Sequence, residues 1–187
     1  TEVDAHTRAS FEALLARLRA EHVEIVTRND DRAYAALEDA FYGPFIERSV
    51  DISAYEMRWP YQQYLQKYPE LLEQRQRDRL ARAAQITPEI YAERLAEKAR
   101  MKEQAQQAMQ GADAILTLSS SGPAPIGHSH TGSRAYLLFA SFLHLPAFSL
   151  PLLQSDGMPV GAQIIGYLGR DGDLCALARW MSELISG

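Results

Sequence analysis

The chain has 187 residues, of which 47% are hydrophobic and 23% are charged, a composition typical of a globular domain with a buried core. Its formal net charge of -5 argues against nucleic acid and membranes as partners, because both attract basic surfaces. The single cysteine, Cys175, excludes an internal disulfide, and we expect a cytoplasmic protein. The longest apolar run, residues 135–143, is too short to span a bilayer.

Residues 1–110 predict a mainly helical segment with one short strand. Apolar side chains recur at helical spacing from Phe11 to Leu18, which predicts an amphipathic helix. The alternating segment 23–27 then predicts the strand. Asp30 or Asp31 would cap a second helix, because a short acidic side chain accepts from free N–H groups there.

Two further helices are predicted in the same segment. Gly43-Pro44 would end the second helix, and residues 53–56 have the spacing of a capping box that begins a third. Trp59-Pro60 would bend or break this third helix. Thr87-Pro88-Glu89 predicts the start of a fourth helix, which would end near Gly111 in the left-handed conformation.

Residues 111–187 are richer in apolar residues and turns than the first segment. Interleaved strands and helices predict the α/β class, and we expect both segments to form a single partial domain. The turn sequence Asp156-Gly157 predicts that the last two strands form an antiparallel hairpin. The predicted bounds are 114–118 for a buried strand, 133–143 for a helix, 147–150 and 160–165 for the hairpin strands, and 171–185 for the last helix.

The loop after the buried strand carries the candidate chemistry, within the sequence LTLSSSGPAPIGHSHTG at 116–132. A serine nucleophile of the strand-turn-helix type needs the pattern G-x-S-x-G, because small residues allow the strained turn. Residues 118–122 contain one glycine only. No carboxylate close in sequence would orient His128 or His130 as a base.

A metal site is the second hypothesis for this loop. His128 and His130 would point the same way on an extended chain and share a zinc ion. A third ligand would come from His144 or Asp156, and the spacing selects neither. Polar loop residues bonded to water or backbone are the commoner case, and no glycine-rich phosphate loop is present. We therefore predict no metal and no cofactor.

Several short motifs in the second half occur in a recognisable order and spacing. They are DAILT at 113–117, PAP at 123–125, LPAFSLP at 145–151, DGMPVGAQIIG at 156–166, and Asp171 with Leu174 at the start of the last helix. In order and placement they resemble the C-terminal part of the amidase signature family, serine hydrolases that cleave or transfer carboxamides. The resemblance implies an α/β fold with a mixed β-sheet flanked by helices, and less specific features upstream extend it over the whole chain.

The catalytic core of that family has no counterpart in this chain. The family's core is a glycine- and serine-rich segment that supplies a lysine, a bridging serine in a cis peptide and the nucleophilic serine. Lys67, Lys98 and Lys102 instead lie in charged helical stretches, where nothing would bury them and lower the pKa. A serine is a weak nucleophile without a base and oxyanion donors. We therefore assign no catalytic residue here and expect this piece alone to be inactive.

The resemblance implies the C-terminal part of an amidohydrolase that converts a carboxamide to a carboxylate and ammonia or an amine. This piece would wall the substrate pocket and complete the sheet. Its partners would be the N-terminal catalytic half, in the same or a separate chain, and a small-molecule amide. The predicted substrate-binding residues are Ser119, Ser120, Ser121, His128, His130 and Thr131.

Alternatives to the amidohydrolase stay open at this point. One is an amidotransferase subunit of the same fold, which works in a protein complex on a tRNA-bound substrate. Another is a non-catalytic binding or assembly module. Assembly of the protein as a homo-oligomer also stays open.

Overall fold

The computed structural model describes residues 2–128, 131–133 and 135–186, which form helices and a three-stranded antiparallel sheet. The predicted α/β class is confirmed, whereas the predicted mixed sheet is not seen among the described strands, which all pair antiparallel. In chain order the elements are α1 (Ala5–Ala20), α2 (Arg32–Ala40), a π-helical segment (Phe41–Phe45), α3 (Ile46–Lys67), a 3-10 turn (Pro69–Leu71), α4 (Gln74–Ala83), α5 (Pro88–Ala108), β1 (Ile115–Leu118), α6 (Ala135–Leu143), β2 (Ala147–Ser155), β3 (Met158–Ile165) and α7 (Asp171–Ser186).

The chain divides into two compact units. The first comprises Thr1–Ala35 and Ala105–Gly187 and contains the sheet with α1, α6 and α7. The second comprises Ala36–Gln104 and contains α3 and α4 with most of α5. No helix in the described ranges combines the length and the apolar character needed to cross a membrane. The single partial domain stays a prediction.

The sheet is built around β3, which pairs with β1 on one side and β2 on the other, antiparallel to both. In this register Thr117 and Ser149 both lie opposite Gln163. The turn between β2 and β3 has Asp156 at φ 48° and Gly157 at φ 77°, the positive values that a tight two-residue hairpin turn requires. The predicted hairpin is confirmed.

One face of the sheet packs into the main core of the first unit. Ala162 and Ile164 of β3 are buried in a cluster that includes Leu14 of α1 and Leu174 of α7. Successive side chains of a strand point to opposite faces. Gln163 therefore lies on the other face, which leaves a polar strip there.

The predicted strand over 23–27 is wrong. The segment is irregular and no strand pairs with it in the described part of the chain. Exposure does alternate, since Val23 and Ile25 pack against the core whereas Val26 is 53% exposed. An alternating pattern reports which side of an extended segment faces the core, and a strand needs hydrogen-bonded neighbours as well.

The helices of the second unit differ from the predicted ones. The chain kinks at Gly43 (φ −87°, ψ −120°) but continues directly into α3, which runs through Pro60. Ser53 lies inside α3, where its hydroxyl donates to the Val50 carbonyl at 3.0 Å, so the helix start predicted there is wrong. A proline removes one backbone hydrogen bond, and the other bonds of this 22-residue helix keep it continuous. The helix α4 was not predicted from the sequence.

The predicted helix boundaries elsewhere are confirmed. Asp31 Oδ1 accepts from the N–H groups of Ala33 at 2.7 Å and Tyr34 at 3.2 Å, which caps α2. Thr87 Oγ1 accepts from the Ile90 N–H at 3.3 Å where α5 begins. Gly111 follows α5 with φ 91°, the left-handed conformation that commonly ends a helix.

We expect Gly157→Ala to destabilise the protein by about 1 kcal/mol, because an L-residue is strained in the left-handed region. Gly172→Ala is the matched control, since neither glycine has an atom within 4 Å of an added Cβ. Gly172 lies in α7, where alanine should stabilise by about 0.5–1 kcal/mol. Chemical denaturation measures both changes, and a stabilising Gly157→Ala would contradict the left-handed turn.

Candidate functional site

Two serine hydroxyls meet at the end of β1. The Ser119 N–H donates to the Gly161 carbonyl at 2.8 Å, which extends the β1–β3 ladder by one residue. The Oγ atoms of Ser119 and Ser149 lie 2.6 Å apart, a hydrogen bond that joins the two outer strands across β3. A Cβ at Gly161 would clash with the Ser149 hydroxyl and lie 2.6 Å from that of Ser119. The glycine therefore makes this pair of hydroxyls sterically feasible.

The polar strip continues along β3 from this pair. Gln163 is buried, and its Nε2 donates to the Tyr136 carbonyl at 3.2 Å. This bond fastens the first turn of α6 to the polar face of the sheet. Burial raises the pKa of Tyr136, so its phenol stays neutral at physiological pH. The Gln163 amide and the hydroxyls of Ser119 and Ser149 along this strip are neutral hydrogen-bonding groups.

Asp4 holds the beginning of the serine loop. Its carboxylate accepts from the Thr7 N–H at 2.8 Å and from the Ser155 hydroxyl at 2.7 Å, and its own N–H donates to the Ser121 carbonyl at 2.8 Å. The Ser155 hydroxyl, with the Thr7 N–H, lowers the pKa of Asp4 from 3.8 to about 2. This one residue connects the start of α1, the end of β2 and the loop.

The predicted binding residues that the structure describes make different contacts. Ser119 bonds to Ser149, whereas the Ser120 hydroxyl donates within the loop to the Gly122 carbonyl at 2.7 Å. Ser121 contacts Asp4 through its backbone carbonyl. His128 and Thr131 are exposed, and His130 lies outside the described residues. No histidine or lysine hydrogen-bonds to the three serines within the described ranges.

The described residues of the metal hypothesis are His128, His144 and Asp156. Asp156 Oδ1 lies 2.7 Å from His6 Nδ1, and these side chains are 74% and 63% exposed. His144 follows α6 in the left-handed conformation, with φ 55°. Among residues 2–128, 131–133 and 135–186, no three His, Cys, Asp or Glu side chains are grouped as a metal site.

The second unit contains an open cleft of about 490 Å³. Its lining residues are Asp51, Ala81, Arg82, Gln85, Ile86, Ile90 and Arg94. The Asp51 carboxylate bonds to Arg82 Nε at 2.7 Å and to Arg94 Nε at 3.2 Å. Arg94 is also paired with Glu93 at 3.2 Å and with Glu97 at 3.7 Å, so carboxylates surround its guanidinium group. The ion pairs hold α3, α4 and α5 together.

Three residues of the site, Asp4, Ser149 and Gly161, were not predicted from the sequence. Ser149 and Gly161 lie inside the motifs LPAFSLP and DGMPVGAQIIG, where a serine flanked by apolar residues and a small residue opposite it were visible signals. Their meeting depends on the β2–β3 register, which residue spacing alone does not give. Asp4 caps α1, which begins at Ala5, earlier than the apolar pattern from Phe11 predicted. A short acidic side chain just before a helix is the local signal for such a cap.

The sequence profile of a family described as Amidase matches residues 1–175. The chain belongs to the amidase signature family. Among curated protein sequences, none matches this chain. The amidase-signature assignment agrees with the resemblance found in the motifs of the second half.

Solved structures share the fold of this amidase-signature chain. A crystal structure of an amidase has 25% identity and a TM-score of 0.80, with 97% of this chain and 42% of that chain covered. A 6-aminohexanoate cyclic dimer hydrolase complexed with substrate has 21% identity and a TM-score of 0.72, with 98% and 42% covered. One subunit of the glutamyl-tRNA(Gln) amidotransferase from Thermotoga maritima has 21% identity and a TM-score of 0.59, with 96% and 39% covered.

This amidase-signature chain therefore spans 39–42% of the length of those three proteins. The family and the fold are shown by these similarities. The activity, the substrate and the partners of the whole protein are proposals.

We expect Asp4→Ala to lower the Tm by about 2–4 °C at pH 7, because the change removes the cap of α1 and the acceptor of Ser155. The pKa of Asp4 in the folded state, about 2, lies below its ordinary value of 3.8. A lowered pKa stabilises the fold fully above the ordinary value, and the contribution is lost as the pH falls through 2. The Tm difference should therefore shrink between about pH 4 and pH 2.

Asp156→Asn is the control, because it removes the charge of the mostly exposed pairing with His6 and keeps a side chain that tolerates the left-handed φ of 48°. We expect a change of less than about 2 °C for this variant. Thermal melts of both variants across the pH range give the comparison. A pH-independent effect of Asp4→Ala would contradict the lowered pKa.

Proposed function

We propose that this chain is the C-terminal part of an amidohydrolase that converts a carboxamide to a carboxylate and ammonia or an amine. The observation that carries the proposal is the family match over residues 1–175, supported by the fold shared with a solved amidase. The catalytic base and nucleophile would come from the N-terminal half of the enzyme. Its substrate would be a small-molecule amide.

The role of this chain would be to wall the substrate pocket and to complete the sheet. The hydroxyls of Ser119 and Ser120 are hydrogen-bonded to another hydroxyl and to a carbonyl, and neither group is a base that would activate a nucleophile. Hydroxyls of this kind orient polar groups of a ligand. We assign the wall of the pocket to Ser119, Ser120, Ser121, His128, His130 and Thr131.

A second candidate function is that of an amidotransferase subunit, because one solved structure with this fold belongs to a glutamyl-tRNA(Gln) amidotransferase. Such a subunit would pass the released ammonia to an acceptor carboxylate instead of to solvent. Transfer to glutamyl-tRNA, measured with and without partner subunits, separates the two functions. Amide hydrolysis without any partner subunit favours the amidohydrolase.

The first test compares this chain alone with the complete enzyme on a panel of small primary carboxamides. Because the chain has no activated nucleophile in its described residues, we expect ammonia release from the complete enzyme and none from the chain. An ammonia assay at equal molar concentrations makes the measurement. Turnover by the isolated chain would contradict the proposed division of roles.

The second test replaces Ser119, Ser120 and Ser121 with alanine in the complete enzyme. Because these serines would bind substrate without attacking it, we expect KM or substrate preference to change by about tenfold and kcat by less. Steady-state kinetics on several amides gives both constants. A kcat loss of about 10⁴ to 10⁶, as expected for removal of a nucleophile, would show that one of these serines takes part in the chemistry.

A further inference from the structure

We propose that the paired hydroxyls of Ser119 and Ser149 form a subsite that binds the neutral carboxamide group of the substrate. This inference rests on the proposed function and names the atoms that recognise the amide. Ser149 was not among the binding residues predicted from the sequence. The pair is defined as the two Oγ atoms, which lie 2.6 Å apart.

The hydrogen-bonding capacity of the pair matches an amide. Each serine hydroxyl has one donor hydrogen and two acceptor lone pairs, and the bond between the hydroxyls uses one donor and one acceptor. One O–H donor and three lone pairs are left over. A primary carboxamide carries an acceptor oxygen and an N–H₂ donor side by side, so it can accept from the pair and donate to it at the same time.

The pair is held in place by backbone. In this chain Ser149 is exposed and Ser119 is half-buried, and under the proposal their remaining donor and lone pairs face the substrate in the complete enzyme. Ser119 is fixed by the bond from its N–H to the Gly161 carbonyl at 2.8 Å, and Ser149 is fixed by the pairing of β2 with β3. A preformed pair loses little conformational entropy when a ligand binds.

The pair should also distinguish the amide substrate from its carboxylate product. A carboxylate is an acceptor only, so it can use the single remaining O–H and leaves the lone pairs without a donor. The pair consists of two neutral hydroxyls bonded to each other, and neither carries a charge that would attract a carboxylate. The subsite therefore favours binding of the amide over the product.

The test measures KM and kcat in the complete enzyme with a small primary carboxamide, for Ser119→Ala, Ser149→Ala and the double variant. We expect each single variant to raise KM about tenfold with kcat changed less than about threefold. The double variant should match the singles, because residues that act as a unit are not additive. Inhibition by the carboxylate product should change less than KM does.

Ser149→Thr retains a hydroxyl at the same position, and we expect its KM to stay within about threefold of the wild type. Gly161→Ala keeps both hydroxyls, but its Cβ would push them apart, so its KM should rise as in the alanine variants. Ser182→Ala is the control, because the hydroxyl of Ser182 donates to the Ala178 carbonyl at 2.8 Å within α7. It should leave KM unchanged.

The outcomes separate this inference from the proposed function. If the wild-type enzyme hydrolyses amides but Ser149→Ala leaves KM unchanged, the subsite is wrong and the proposed function stands. An additive double variant, with KM raised about a hundredfold, contradicts a paired subsite. If the wild-type enzyme hydrolyses no carboxamide, both proposals fail. Thermal melts of every variant show that each is folded, and Ser149→Thr separates loss of the hydroxyl from disturbance of β2.

Discussion

The structure of the first unit depends on β3, because both other strands of the described sheet form their hydrogen bonds with it. Alternate residues of β3 point to opposite faces of the sheet. Ala162 and Ile164 enter the core beneath α1 and α7, whereas Gly161 and Gln163 face the polar strip. At Gly161 the absence of a side chain matters most, since a Cβ there would occupy the space of two hydroxyls. One strand therefore determines both the core and the geometry of the candidate site.

Asp4 extends this organisation to the serine loop. Its carboxylate caps α1 and accepts from Ser155 at the end of β2, while its N–H binds the carbonyl of Ser121. The first residues of the loop are thus positioned by contacts that also begin the helix over the core. The Ser120 hydroxyl bonds to a carbonyl within the loop. The Ser119 hydroxyl instead bonds to Ser149 on β2.

Local signals in the sequence predicted much of the fold. The Asp156-Gly157 turn, the Thr87-Pro88 helix start and the Gly111 helix end depend on residues within a few positions of one another, and all three are observed. Pro60 shows the limit of such signals, because the propensity of one residue is overridden by the rest of a long helix. Residues 23–27 show another, since their alternation gave the buried side but not the strand.

The candidate site was predicted less fully, because its contacts join residues far apart in sequence. Ser119 and Ser149 are 30 positions apart, and they meet only when the register of β3 against both neighbours places them beside Gly161. The three consecutive serines of the loop predicted Ser119 as a binding residue, but the sequence offered no reason to prefer it over Ser120. The register supplies that reason, since Ser119 is the one of the three whose hydroxyl reaches another strand.

Under the proposed function, this arrangement separates recognition from chemistry. Hydroxyls that bond to another hydroxyl or to a carbonyl can orient an amide, but they have no base to make them nucleophilic. Recognition by neutral hydroxyls also fits hydrolysis of an amide. The hydroxyls can pair with both the carbonyl oxygen and the N–H₂ group of the carboxamide, whereas the carboxylate product offers them only acceptor oxygens. Substitutions around the pair could then alter which amide is bound without removing the groups that attack it.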